Sequence, residues 1–177
     1  MATIGKNLSS YNKDKVPSAE SMKFAVVVSE WNEHITSQLL QGTKDSLLEN
    51  GCLEENILTA YVPGAFELPI GAQFVLESKE VDAVICIGSV IQGETKHFDF
   101  VCSGAAQGVK DVAIKHSKPV IFCVLTWSAG QASGLSYWWV PGKFAGLFDS
   151  QRGAGRDWCA INGKRAMIIA VQRDFNC

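Results

Sequence analysis

The sequence predicts an α/β protein with a four-stranded parallel sheet and helices packed on both faces. Short apolar runs rich in β-branched residues alternate with longer segments of helical periodicity through the first 126 residues. The run at residues 81–91 is apolar on both faces, as is typical of a strand inside a parallel sheet. The alternation of strand and helix then favours right-handed crossovers between parallel strands.

Each predicted element is bounded by turn or capping residues. The first strand is predicted at residues 24–29, and a helix follows until Asn50-Gly51 ends it. The other strands are predicted at 56–62, 81–91 and 119–126, with helices ending near Ser78 and spanning 98–116. The last helix carries small residues that we expect to pack closely on the sheet, namely Gly104, Ala105, Ala106 and Gly108.

Length and composition indicate one globular domain at residues 23–177, preceded by an extended polar arm at 1–22. The chain has 177 residues, 47% of them hydrophobic, which is enough for a buried core. A net charge of −2 favours neither nucleic acid nor a membrane surface as a partner.

The cysteines and the N-terminal sequence bear on the compartment. None of the six cysteines forms a C-x-x-C pair, so a zinc site is not expected. Cys86 and Cys123 lie in apolar strands and are predicted to be buried. Without a signal-peptide or transmembrane pattern, the prediction is a cytoplasmic protein with free thiols.

Candidate site residues follow the strands at their carboxyl ends, where open α/β sheets bind ligands. Trp31 follows the first strand, Ala65-Phe66-Glu67 the second, and Ser89-Val90-Ile91 closes the third. Next comes the turn Gly93 to His97, which combines anion-binding backbone, a hydroxyl and a proton carrier. Residues 122–126 are predicted to add the carboxyl end of the fourth strand to the same rim. The rim is suited to a flat ring and an oxyanion.

Each of these residues also has an ordinary structural interpretation. A histidine after a strand is often a cap or a surface residue, so His97 alone is weak evidence. Trp31 and Phe66 fit simple packing between strand and helix, and Glu67 fits a first-turn charge. Their joint placement on one rim favours a binding site.

Four strings in this chain resemble the lumazine synthase family, whose members make 6,7-dimethyl-8-ribityllumazine. They are FAVVVSEWNEHIT, VPGAFELP, AVICIGSVIQGETKHFDFV and PVIFCVLT, and they cover roughly residues 23–126. The resemblance implies a flavodoxin-like three-layer αβα sandwich. It also implies a transferase that joins 5-amino-6-ribitylaminouracil to 3,4-dihydroxy-2-butanone 4-phosphate. The family uses no metal or organic cofactor and assembles as pentamers, some of which form sixty-subunit shells.

The resemblance implies roles for individual residues. Trp31 takes the place of the ring-stacking aromatic, and Ala65, Phe66 and Glu67 match the segment that contacts the ribityl chain. Ser89, Val90 and Ile91 match the segment whose backbone reads the pyrimidine. Glu94 and Thr95 match the phosphate-binding turn, and His97 matches the catalytic histidine. Phe122 matches a wall that a neighbouring subunit contributes.

The resemblance ends after Thr126. Residues 127–165 are aperiodic, contain four of the five tryptophans, and form a segment longer than the family's usual one by about ten residues. Ser136 stands where the family has its phosphate-binding arginine, and Arg152 or Arg156 could replace that clamp. The segment fits a lineage-specific insertion, a disturbed reading frame or a redesign, and its composition favours the last two. An activity-impaired shell or scaffold protein and a flavin-binding module are the alternative functions.

Overall fold

The computed structural model describes residues 18–128, which form an α/β fold around one parallel sheet. The strands are β1 (Phe24–Ser29), β2 (Ile57–Val62), β3 (Ala83–Gln92) and β4 (Val120–Ser128). The helices are α1 (Glu33–Glu49), α2 (Leu68–Ser78) and α3 (His97–His116), with short 3-10 turns at Glu54–Asn56 and Ala65–Glu67. These bounds confirm the predicted alternation of strands and helices. Most of the strand ends lie within one or two residues of their predicted positions.

The sheet is entirely parallel, with the strand order β2-β1-β3-β4. The chain therefore moves outward from β1 to β2, returns past β1 to β3, and continues outward to β4. With right-handed crossovers, this reversal places α1 on one face and α2 and α3 on the other. The order also creates a switch point between the carboxyl ends of β1 and β3, where such sheets form ligand crevices.

Two hydrophobic clusters cover the two faces of the sheet. Phe24, Val26 and Val28 of β1 pack with α1, whereas Ala25 and Val27 pack with α2 and α3. The alternation follows from the period of two in a strand, which sends successive side chains to opposite faces. All six residues of β1 and the first seven of β3 are buried, so the prediction of two-sided burial is confirmed.

Local sequence signals set the ends of helix α1. Gly51 adopts a left-handed φ of 89°, and the backbone N–H of Cys52 donates to the Leu47 carbonyl at 3.0 Å. This is the glycine-terminated helix end that Asn50-Gly51 predicted. At the other end Asn32 also has a positive φ, of 62°, which asparagine tolerates better than most residues.

Two expectations about packing need correction. Gly104 and Gly108 of α3 do not face the sheet: a Cβ atom there would lie 2.6 Å from the Phe66 ring and 2.6 Å from Pro69. They let α3 approach the start of α2, while Ala105 is the small residue that is buried. Ala19 and Met22, from the expected arm, are buried in the α1-side cluster. Residues 1–17 of that arm lie outside the described part, and no described helix is long and apolar enough to cross a membrane.

Candidate active site at the carboxyl edge of the sheet

An open cleft of about 750 Å³ lies beside the carboxyl ends of β1 and β3. Its volume is in the usual range for small-molecule sites. Nine residues predicted from the sequence line it together: Trp31, Ala65, Phe66, Glu67, Ser89, Val90, Ile91, Thr95 and His97. Residues from four separate chain segments therefore meet at one site, as expected for the carboxyl edge of a parallel sheet.

Aromatic side chains dominate the open side of the cleft. Trp31 is 72% exposed, Phe66 57% and Phe100 72%, so their rings are available to a flat ligand. The Trp31 backbone N–H donates to the Pro63 carbonyl at 3.1 Å, which ties the end of β1 to the turn after β2. The Phe66 ring is seated against Gly104 of α3. The sequence reasoning missed Phe98, Phe100 and Val101, although their apolar spacing at the start of α3 was visible.

Glu67 closes the 3-10 turn Ala65–Glu67 and supplies a carboxylate to the cleft. Its backbone N–H donates to the Gly64 carbonyl at 3.2 Å. Its Oε2 would lie 3.0 Å from a Cβ atom at Gly64, so the side chain folds back over that glycine. A carboxylate held in this way accepts hydrogen bonds from hydroxyl groups, which suits a polyol chain.

The turn between β3 and α3 has the features of an anion site. The N–H groups of Glu94, Thr95 and Lys96 donate to no other described residue. The His97 N–H donates to Thr95 Oγ1 in a long contact of 3.4 Å. Helix α3 begins at His97, so its positive dipole end adds to the field at this turn. His97 is exposed, and a proton carrier therefore stands next to the anion-binding backbone.

Ser89, at the base of the cleft, is held from two sides by residues that the sequence reasoning did not select. The Asn32 amide Nδ2 donates to the Ser89 carbonyl at 2.9 Å. The Trp127 indole Nε1 donates to Ser89 Oγ at 3.0 Å. No local pattern relates these residues, because 57 and 38 positions separate the two pairs along the chain.

Two predicted site residues do not line the cleft. Glu94 lies in the turn and is exposed, but it is not among the lining residues. Phe122 was expected at the end of the fourth strand, and this is wrong. Strand β4 extends to Ser128, so Phe122 is its third residue and pairs with Cys86 in the middle of β3. It packs on the α2–α3 face of the sheet. Arg152, Arg156 and Ser136 lie outside the described residues.

The thiols near the sheet are poor candidates for chemistry. Burial raises the pKa of the Cys86 thiol to about 12. Burial, and then the neighbouring Asp99 carboxylate, raises the pKa of the Cys102 thiol on α3. A thiol with a raised pKa stays protonated at neutral pH and is a weak nucleophile. Among the residues that line the cleft, His97 is thus the group suited to move protons near neutral pH.

Fold and cleft together define a flavodoxin-like α/β protein with a cleft of small-molecule size at the switch point of its sheet. The family model for 6,7-dimethyl-8-ribityllumazine synthase matches residues 21–135. The chain therefore belongs to the 6,7-dimethyl-8-ribityllumazine synthase family. The match continues nine residues past Thr126, where the resemblance of the quoted strings ends.

Individual relatives agree with the family match. The 6,7-dimethyl-8-ribityllumazine synthase of Christiangramia forsetii is 54% identical over 127 residues, which are 71% of this chain and 76% of the relative. That of Flavobacterium psychrophilum is 48% identical over 133 residues, or 75% of this chain and 70% of the relative. That of Cytophaga hutchinsonii is 51% identical over 126 residues, or 71% and 79%.

Proposed function

We propose that this chain condenses 5-amino-6-ribitylaminouracil with 3,4-dihydroxy-2-butanone 4-phosphate to 6,7-dimethyl-8-ribityllumazine, as a transferase of riboflavin biosynthesis. The observation that carries the proposal is the cleft itself. Exposed aromatic rings, an anion-binding turn and His97 share one rim, within the region that matches the family. This match does not favour the alternatives of an inactive scaffold or a flavin-binding module.

The chemistry requires three things of the protein. The pyrimidine's amine attacks the ketone to form an imine with loss of one water, phosphate leaves, and ring closure then releases a second water. Two substrates must be held in reacting orientation, the leaving anion must be bound, and protons must be moved. Orientation can supply roughly 7–11 kcal/mol in well-aligned cases, and a proton carrier typically adds about 10²–10⁴-fold. One proton carrier is enough when orientation supplies most of the rate, and His97 is the side chain proposed for that role.

The pyrimidine fits the wall that the aromatic rings and strand β3 form. In this proposal Trp31 stacks on the ring, and the backbone of Ser89, Val90 and Ile91 hydrogen-bonds its edge. Ala65, Phe66 and Glu67 hold the ribityl chain, with the Glu67 carboxylate accepting from its hydroxyl groups. This is supported by their shared lining of the cleft and by the exposure of the rings.

The phosphate fits the turn that contains Glu94 and Thr95, whose N–H groups are free within the described residues. Gly93→Ala tests this placement, because a Cβ at Gly93 would have nothing within 4 Å and Gly93 lacks a left-handed φ. The fold is thus expected to tolerate the methyl group, whereas a bound phosphate would meet it. KM for the phosphorylated butanone should rise about 10-fold, or about 1.4 kcal/mol, with KM for the pyrimidine unchanged. Equal changes in both constants would contradict the placement.

The family's phosphate-binding arginine is replaced by Ser136, so we expect weaker use of the phosphorylated butanone than in relatives that keep it. A charge-assisted hydrogen bond is worth about 1.5–3 kcal/mol, which corresponds to roughly 10- to 150-fold. The expectation inverts if Arg152 or Arg156 supplies the clamp. A family-like KM for this substrate that is lost in Arg152→Ala or Arg156→Ala would identify the replacement.

A homo-oligomer, of pentamer or sixty-subunit form, and a cytoplasmic location complete the proposal. Phe122 lies away from the cleft of its own chain, so any role in the reaction has to be at a neighbour's cleft. Among the residues that the structure describes, no cysteine is in a disulfide, which suits a reducing compartment. A monomer by light scattering at micromolar concentration would contradict the shared site.

Turnover with both substrates tests the function directly. Lumazine formation and phosphate release should proceed together in equal amounts, and omission of either substrate should abolish both. A scaffold protein would assemble without turnover, and a flavin-binding module would carry a visible flavin spectrum after purification. Either result, with no lumazine formed, would overturn the proposed function.

A further inference from the structure

Trp127 of β4 reaches diagonally across the sheet to the base of the cleft. In the β3–β4 register Ser89 is opposite Leu125, and Ile91 is opposite Trp127. Residues two apart on a strand share a face, and diagonal neighbours are within reach of an aromatic side chain. The Trp127 indole crosses this diagonal and donates to Ser89 Oγ at 3.0 Å. Its ring packs against the α1-side cluster, which fixes the direction of the N–H group.

The bond lies where strand β3 loses one of its two neighbours. Pairing between β1 and β3 ends at Val28 and Ile87, two residues before Ser89. Beyond that point the Asn32 side chain replaces the ladder by binding the Ser89 carbonyl. Ser89 is only 2% exposed, so its hydroxyl is paired away from bulk water, where an unmade hydrogen bond is costly. The segment that enters the cleft is therefore anchored at Ser89 from two sides, by the turn that follows β1 and by strand β4.

We propose that Trp127 is a positioning residue for the ring-binding segment Ser89-Val90-Ile91, and this rests on the proposed function of that segment. The indole N–H holds Ser89, and Ser89 in turn fixes the path of the two cleft-lining residues that follow it. A ring ligand read by backbone groups needs those groups in place to within a fraction of an ångström. Trp127 touches no reacting atom. A substitution at Trp127 should therefore weaken binding of the pyrimidine and leave binding of the phosphate at the turn unchanged.

Trp127→Phe is the direct test, because it keeps an apolar ring and removes the only donor of the side chain. KM for the pyrimidine should rise about 3- to 10-fold, in the range of one neutral hydrogen bond. KM for the phosphorylated butanone should change less than about 2-fold, because the turn at Gly93 to His97 has its own backbone support. Ser89→Ala removes the acceptor of the same hydrogen bond, so KM for the pyrimidine should rise by a similar factor.

Combining the two substitutions decides whether they report one bond. The double variant should raise KM for the pyrimidine no further than the larger of the two single substitutions does. The free-energy effects of removing the two partners of one hydrogen bond do not add, because either substitution already breaks the bond. Independent roles would multiply the two increases, and that result would overturn the proposal. Equal losses for both substrates, together with a lowered melting temperature, would mark Trp127 as a general packing residue and also overturn it.

Hydrogen exchange separates this inference from the proposed function. In Trp127→Phe, the amides of residues 89–92 should exchange several-fold faster, while those of residues 24–28 keep their protection. This readout needs no substrate. If the unsubstituted protein forms no lumazine, the proposed function fails, but faster exchange confined to 89–92 still supports the positioning role. Unchanged exchange at 89–92 overturns that role even in a fully active enzyme.

Discussion

The two ends of strand β3 have opposite properties, although one continuous strand forms both. Its first seven residues are buried between two helical layers, and towards its other end the segment Ser89-Val90-Ile91 lines the cleft. Around the buried end the paired strand residues Phe24 to Val28 are themselves buried, whereas around the open end Trp31 and Phe100 are each 72% exposed. The buried end contributes stability and the open end contributes binding. Substitutions at the two ends should therefore change different measured quantities.

The open end of β3 has backbone pairing on one side only, so side-chain hydrogen bonds are needed to hold it in place. At the buried end, both neighbouring strands pair with β3 and two helical layers cover it. Near Ser89 the ladder to β1 has ended, and the side chains of Asn32 and Trp127 take its place. The open end thus keeps the ladder to β4 and adds these two side-chain bonds, while the buried end has ladders on both sides and packed helical layers. Loss of one bond at the open end should alter the cleft without unfolding the sheet.

Ile85→Ala should give the largest effect on stability, because Ile85 is fully buried at the centre of β3. A buried isoleucine cut back to alanine typically costs about 2–5 kcal/mol. Ile114→Ala is the matched control, since Ile114 is 68% exposed and should change the free energy of unfolding by no more than about 0.5 kcal/mol. Chemical denaturation measures both. Similar losses at the two positions would contradict the division between interior and surface.

Cys86, also in the buried half, should make stability depend on alkaline pH. Burial raises the pKa of its thiol to about 12 in the folded protein, against the ordinary thiol value of 9.0. Between these values the unfolded chain loses the proton and the folded chain keeps it, so stability falls as pH rises from about 9 to about 12. Below pH 9 this contribution is fully present. Chemical denaturation at a series of pH values measures this dependence. In Cys86→Ala the free energy of unfolding should fall less steeply between about pH 9 and about pH 12, and an unchanged slope would contradict the role of this thiol.

His97→Ala should give the largest effect at the open end. We expect kcat for lumazine formation to fall at least about 10-fold, as for a lost proton carrier, with the free energy of unfolding unchanged because His97 is exposed. His34→Ala on α1 is the matched control, since His34 is exposed and does not line the cleft. Steady-state turnover of both variants tests the prediction. Unchanged kcat in the His97 variant would remove this residue from the mechanism.

Gly104→Ala should give a smaller effect on substrate binding, because a side chain added on α3 would displace a residue that lines the cleft. The new methyl group would lie 2.6 Å from the Phe66 ring, which is exposed enough to move. A displaced ring costs on the order of 0.5–1.5 kcal/mol, so KM for the pyrimidine should rise about 2- to 10-fold. Measuring KM for each substrate checks this. An unaltered pyrimidine KM would show that Phe66 does not contact the ligand.

Gly42→Ala should give the smallest effect and serves as the control for every glycine variant. Gly42 is exposed within α1, and a Cβ there would have nothing within 4 Å. Alanine should stabilise the helix by about 0.5–1 kcal/mol. Thermal unfolding should show this gain while both KM values stay the same. A loss of stability would mean that this helix surface is covered in the assembled protein.

Much of the fold was predictable because its signals are local. The apolar run of β3, the helical spacing in α1 and the Asn50-Gly51 end each report the geometry of their own few residues. The candidate cleft was also largely predictable, since residues at the carboxyl ends of parallel strands must meet on one edge. For this reason the sequence alone predicts Trp31, Phe66 and His97 on one rim.

The sequence by itself therefore determined the element types, the parallel sheet and most of the cleft lining. Only the tertiary structure decided the strand order β2-β1-β3-β4, the pairing of Phe122 with Cys86 away from the cleft, and the bonds from Asn32 and Trp127 to Ser89. The physical reason is sequence separation. Strand neighbours and cross-strand hydrogen bonds join residues tens of positions apart, and their geometry depends on how helices pack on the two faces of the sheet.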